Sequence, residues 1–351
     1  MSQQHASPHL KLLHGVTVAL VLLIGCGTSI PPPPESPGVT DARFAKAIRA
    51  STEILLRRAQ KLPGIAVAVA VDGKTVWTSG FGWADIAART PMRADDAARI
   101  YSVNKPLTAA LAMRLQERGV IDLDKPARPN GITLAELLNH TSGIRHYKSN
   151  EWLSVSSHPC TSTREALAPF INDPLLFTPG TRTEYSSFGY VLASNVLETA
   201  AHRPFEGLLR DEIGVQQHAN ARTVFYEPAR FGRVRVARPV DNSCKFGAGS
   251  LVTTAPELAA FGSALLGGRI VNAESLRKMT ESKSDFAMGF GVAQDDVLGP
   301  IAAQSGAAIG GTAYLLLAPR QRIVVAIIAN MEGDRFRDEA RAIARAFYAP
   351  R

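Results

Sequence analysis

The chain is expected to fold as an α/β protein of the α+β kind. Its mainly antiparallel sheet is built from both chain ends and flanked by helices, with a mainly helical region inserted between. Three observations predict this. Near the start, the apolar run Gly64 to Val71, the turn Asp72-Gly73 and a second run Lys74 to Ser79 read as a β-hairpin ending at Gly80-Phe81-Gly82. Near the end, Thr312 to Ala318 and Ile323 to Ala329 read as strands joined at Pro319-Arg320-Gln321. Between the two pairs the spacing of apolar residues is helical. With 46% of 351 residues hydrophobic and 20% charged, the chain can bury the core of one large or two intimate domains.

In chain order, the first residues read as a targeting segment. Lys11 precedes an apolar run, Val16 to Ile24, of about signal-peptide length and too short to span a bilayer alone. Leu23-Ile24-Gly25-Cys26 resembles the bacterial lipobox, whose cysteine is lipidated. Residues 1–25 are therefore expected to be a signal peptide, with Cys26 the lipidation site. Residues 26–40, with Pro31 to Pro34, read as a stiff spacer. Gly27 stands where aspartate would retain a lipoprotein at the inner membrane, so a periplasmic, outer-membrane lipoprotein of the bacterial envelope is expected.

The remaining 41–351 form the domain, with a sheet part at 41–100 and 245–351 and a helical part at 101–244. Phe44, Ala47, Ile48 and Leu55 give the first helix. Leu107, Leu111 and Leu115 give a helix stopping at Gly119. Thr133-Leu134-Ala135-Glu136 and Thr254-Ala255-Pro256-Glu257 are capping boxes that open two more. Phe188 to Ala200 and the alanine-rich 335–348 complete the helices. Cys160 and Cys244 stand in no motif and read as packed free thiols, a disulfide being the alternative in an exported chain.

The chemistry centres on Ser102-Val103-Asn104-Lys105. Positions i and i+3 of a helix share a face, so Lys105 can reach the Ser102 hydroxyl. A desolvated lysine loses its proton and serves as a base. Pro106 puts Ser102 at the helix start, where backbone N–H groups stabilise negative charge. Ser275-Leu276-Arg277-Lys278 repeats the pattern inside a charged segment and reads as a solvated helix face. No His-Glu-x-x-His or Gly-x-Ser-x-Gly occurs, which argues against zinc hydrolysis and the usual α/β-hydrolase elbow. No metal or cofactor is expected. The net charge is +8, but the basic residues are scattered, so no nucleic-acid partner is expected.

Several phrases resemble the serine β-lactamase-like family of class C β-lactamases, D-alanyl-D-alanine peptidases and related esterases. They are the segment from Ala98 to Lys105, Ile132 to Ile144, Phe177-Thr178-Pro179-Gly180, Tyr185-Ser186-Ser187, and Gly247 to Thr254. Ser142 to Tyr147 and the Tyr-Ser-Ser form lean to the branch of the mitochondrial serine β-lactamase-like protease. The resemblance implies a β-lactamase/transpeptidase-like fold and a serine hydrolase working through an acyl-enzyme. Ser102 would be its nucleophile, Lys105 the base and Tyr185 a partner of both. The N–H groups of Ser102 and Ala307 would form the oxyanion hole. Ser187 replaces the usual Asn of the second motif, which would weaken a bond to Lys105 or make it water-mediated. Gln304-Ser305-Gly306 stands where the third motif carries a cation, so carboxylate binding there is weakened.

The expected substrate is a peptide, an ester or a peptidoglycan fragment. The alternatives are a true β-lactamase or carboxypeptidase, and a catalytically silent envelope protein that binds cell-wall peptides. Arg145 and His146 read as surface or supporting residues, and Trp77, Trp83 and Trp152 as core or groove walls.

Overall fold

A computed structural model describes residues 27–127, 131–218 and 222–348. The signal peptide and Cys26 lie outside the described residues. In chain order the strands are β1 (Glu35–Thr40), β2 (Gly64–Val71), β3 (Lys74–Asp85), β4 (Thr90–Pro91), β5 (Ala98–Arg99), β6 (Tyr226–Pro228), β7 (Val234–Val236), β8 (Val252–Thr253), β9 (Gly291–Asp295), β10 (Gly299–Ala308), β11 (Gly311–Ala318) and β12 (Ile323–Ala329). The helices are α1 (Ala45–Ala59), α2 (Asn104–Glu117), α3 (Leu134–Leu138), α4 (Glu151–Val155), α5 (Ser187–Ala201), α6 (Phe205–Leu208), α7 (Ala255–Leu266), α8 (Ala273–Thr280) and α9 (Arg337–Tyr348). The main sheet runs β1-β3-β2-β12-β11-β10-β9, and each neighbouring pair is antiparallel. The expected sheet from both chain ends is present, because β2 pairs with β12 in the register Val71 with Ile323 and Ile65 with Ala329.

The central strands are apolar on both faces because helices cover both. The alternation in β2 separates two layers. Ile65, Val67, Val69 and Val71 join a core that includes Leu55 of α1 and Ile343 and Phe347 of α9. Ala66, Ala68 and Ala70 join a core that includes Leu258 and Ala259 of α7 and the residues of α2. Small side chains on that face let α7 approach closely. A Cβ on Gly262 would come within 2.7 Å of Val324 Cγ1 on β12. Each fully buried Ile, Val or Leu contributes roughly 1.5–3 kcal/mol, so this two-sided burial dominates the fold's stability.

Three expectations are corrected here. The hairpin does not end at Gly80-Phe81-Gly82, since β3 continues to Asp85. Gly82 has φ +76°, and a Cβ there would lie 2.2 Å from Pro63 O, so the chain turns past Pro63 without leaving the sheet. The proline-rich stretch is not a free spacer over its described length. Glu35–Thr40 pairs with β3 as the edge strand, Trp83 Nε1 donates to Pro31 O, and Thr28 exchanges backbone bonds with Val234. An extended proline segment already has strand-like dihedrals, which suits it to a sheet edge. Cys160 and Cys244 are not free thiols but a disulfide closing a sequence separation of 84 residues. Both capping boxes form as expected.

Candidate active site

The turn before α2 carries the nucleophile motif. Tyr101–Val103 is a single 3-10 turn, and Tyr101 has φ +47°, a left-handed conformation costly for a tyrosine. The turn is pressed between two backbones. Gly249 meets Tyr101, and Gly306 of β10 passes so close that a Cβ would lie 2.1 Å from Ile100 O and 2.7 Å from Ser102 N. Glycine at 306 is what lets the third-motif strand lie against the nucleophile turn.

Ser102 Oγ is 2.9 Å from Lys105 Nζ and 2.9 Å from Tyr185 Oη. Lys105 is fully buried, yet its amine is 3.2 Å from Ser187 Oγ and 3.1 Å from Ala248 O. Burial drives the lysine below its ordinary value, with Tyr185 opposing the shift. A neutral amine has two N–H bonds and one lone pair. The two donors match Ala248 O and Ser187 Oγ, which leaves the lone pair for the Ser102 hydroxyl. Of the two expectations for Ser187, a weakened bond to Lys105 or a water-mediated one, the structure shows a direct contact of 3.2 Å. The main chain at the start of α5 comes close enough for the shorter side chain to reach.

Two histidines hold that end of α5. Ser186 caps the helix by accepting from Gly189 N–H, and its own N–H donates to His140 Nδ1 at 3.2 Å. The Ser187 N–H donates to His146 Nδ1 at 3.2 Å. Both rings must be neutral at Nδ1 to accept. Burial first, then Lys105 and His146, push His140 down to about 3. Burial and Lys105 push His146 down to about 4, with Glu151 opposing. The His140 ring also packs against the Tyr185 ring at 4.5 Å. His146, which read as a surface or supporting residue, is the supporting kind, and His140 was not singled out although it lies in the phrase from Ile132 to Ile144.

The segment before α7 closes another wall. A 3-10 run, Ser243–Ala248, supplies Ala248 O and is clamped between α2 and α5. Thr108 Oγ1 donates to Gly247 O, and Gly247 N–H donates to Ser194 Oγ. The disulfide at Cys244 ties the same run to Cys160.

These elements surround a cavity of about 1240 Å³ lined by Ser102, Tyr185, Ser187, Gln304, Ser305 and Ala307, among others. The structure thus brings every residue singled out for the site to one place, Cys26 excepted. Gly306 stands behind the lining as the contact described above. Gln304 is buried and turns its amide onto the backbone, donating to Ser305 O at 2.9 Å. Arg145 holds the neighbouring loops through Glu151 and Asp173. Trp152 lines the cavity, and Trp77 is core. The second Ser-x-x-Lys copy makes no such centre. Ser275 is buried in α8, and Lys278 pairs with Glu274 instead.

The fold and the serine–lysine–tyrosine cluster are those of an active-site serine hydrolase. Residues 44–349 match the Beta-lactamase family, and the chain belongs to it. It is 27% identical to the mitochondrial serine beta-lactamase-like protein LACTB of Bos taurus, over 87% of this chain and 80% of that one. It is 31% identical to esterase EstB of Burkholderia gladioli over 50% of each chain. Among solved structures it resembles D-amino acid amidase from Ochrobactrum anthropi SV3, with TM-score 0.74, 20% identity, and coverage of 87% of this chain and 98% of that one. The octameric penicillin-binding protein homologue from Pyrococcus abyssi gives a TM-score of 0.70 at 20% identity, covering 86% and 75%. These two show the shared fold. The protein is a serine hydrolase of the β-lactamase fold.

Proposed function

We propose that the protein hydrolyses an ester or amide through a covalent acyl-enzyme on Ser102. The observation that carries this reading is a fully buried Lys105 amine 2.9 Å from a hydroxyl that faces a large cavity. Ser102 Oγ attacks the acyl carbon while its proton moves to the Lys105 amine. The tetrahedral intermediate collapses, the bond to the leaving oxygen or nitrogen breaks, and Tyr185 relays a proton to that atom. Water then attacks the acyl-enzyme by the reverse proton path and releases the acid. The N–H groups of Ser102 and Ala307 hold the developing oxyanion, a contribution of roughly 3 kcal/mol per donor.

The substrate in this reading is a peptide, an ester or a peptidoglycan-derived fragment. The test is a fluorophosphonate or penicillin probe followed by intact-mass measurement. One adduct on the wild type and none on Ser102→Ala is expected. An equal adduct on the variant would sink the assignment. We also infer a lipid anchor at Cys26 from the lipobox-like residues. The first described residues are docked against β7, so an anchored chain would hold that side of the domain near the membrane. Mass spectrometry of the mature N-terminus tests this, and a simply cleaved, unacylated chain would refute it.

A further inference from the structure

Lys245 is a second buried lysine in the active-site wall, and the acylation chemistry does not use it. It sits next to the disulfide-bonded Cys244, is only 6% exposed and lines the cavity with Ser102. Its Nζ lies 5.3 Å from the centre of the Tyr101 ring, the residue before the nucleophile. Among the described residues its ammonium forms no hydrogen bond and no ion pair. The side chains acting on it, Arg99 and Lys105, carry no negative charge. Burial first, then Arg99 and Lys105, lower it to about 8. Arg99 is itself directed elsewhere, donating to Ile309 O and stacking on Phe225. The acids of the cavity wall do not pair with Lys245, since Asp334 and Glu339 bind Arg58 and Asp338 binds Arg337. Glu332 is the remaining wall acid, and its charge acts on Tyr101.

A buried cation without a counter-ion is costly unless something pairs with it. Hydrogen bonds to charged groups contribute about 1.5–3 kcal/mol. The third-motif position supplies no cation, because Gln304 is neutral and bonded to its own backbone.

We propose that Lys245 is the carboxylate-binding residue of this site, so that the protein prefers substrates bearing a carboxylate over neutral ones of the same shape. This rests on the serine hydrolase reading and names its substrate class. With a value near 8 the ammonium is mostly charged at neutral pH, and the preference fades as pH rises through that value.

The experiment compares mono-4-nitrophenyl glutarate with 4-nitrophenyl valerate, a neutral ester of matched length. The wild type is expected to favour the glutarate ester in kcat/KM. Lys245→Met should cut that ratio about tenfold or more, whereas Lys245→Arg should keep most of it. An unchanged ratio in Lys245→Met would overturn the proposal. So would a ratio that instead follows Arg335→Ala, the exposed arginine whose Nη1 is 3.5 Å from Ser305 Oγ.

A second readout needs no turnover. Calorimetry with glutarate and with glutaramide is run on Ser102→Ala and on Ser102→Ala with Lys245→Met. Glutarate should bind the first more tightly than the diamide does, and the second variant should abolish the difference. Equal binding, or none to either protein, would overturn the site even in an active enzyme. Glutarate binding in a chain that no acylating probe labels would instead fault the hydrolase reading alone.

Discussion

The two sides of the catalytic cavity are built differently. On the nucleophile side the reacting groups are held by direct bonds: Lys105 meets Ser102, Ser187 and Ala248, and the second motif rests on His140 and His146. On the strand side, Gln304 bonds to its neighbour's carbonyl, and the exposed Arg335 only grazes Ser305 at 3.5 Å. Proton transfer demands a fixed, dry arrangement, whereas substrate selection tolerates replacement of one residue by another. The nucleophile side is therefore where substitutions should cost most, and the strand side is where they should change preference.

The largest effect should come from Lys105→Met, which removes the base but keeps the bulk. Acylation by a fluorophosphonate probe is expected to slow by ~10²–10⁴-fold. A variant that labels at the wild-type rate would transfer the base role elsewhere. Next comes the disulfide, which anchors the wall behind Ala248. Replacing Cys160 and Cys244 by alanine should lower stability by about 2–4 kcal/mol in urea titrations. It should also slow labelling of Ser102, because Lys105 loses a fixed carbonyl partner.

His140 gives a pH test of how the second motif is held. The unfolded chain takes up this proton near 6.5 and the folded chain not until about 3. Between those values the unfolded state binds more protons, so stability falls as pH drops from 6.5 towards 3. The slope for one site is at most about 1.4 kcal/mol per pH unit. His140→Gln, whose amide oxygen can still accept from Ser186 N–H, should flatten that slope in thermal unfolding. An identical pH profile would show that the histidine does not titrate with folding. The smallest effect should be on the strand side. Gln304→Lys is expected to raise kcat/KM for carboxylate-bearing substrates a few-fold, a modest gain because desolvation of an ammonium at this buried position offsets much of its attraction to the acid. No change would mean that this strand does not face the substrate's acid.

Much of this was legible in the residues. Apolar runs marked β2, β3, β11 and β12 because strands buried on both faces read as continuous hydrophobic stretches. Capping boxes marked α3 and α7 because a Thr and a Glu three residues apart satisfy the first free amides locally. β1 was not legible. A proline-rich stretch looks alike as a linker and as an edge strand, and only β3 beside it decides. Of the site, Ser102 and Lys105 were legible because their contact is one helical turn long. Tyr185, Ser187 and Ala307 entered only through resemblance to family phrases.

What the sequence by itself determined is local. It set the hairpin and the last two strands, the capped helices, the start of the nucleophile helix and the Ser102–Lys105 pairing, all governed by neighbours close in sequence. What only the tertiary structure decided is long-range. It joined Cys160 to Cys244, brought Ser187 to Lys105 across 82 residues and aligned two histidines under the second motif. It also left Lys245 buried in the cavity wall without a counter-ion among the described residues. The physical reason is that burial and desolvation belong to no residue alone. A lysine is exposed and paired with Glu274 at 278 but fully buried, with its pKa lowered, at 105, and the packing around it makes the difference.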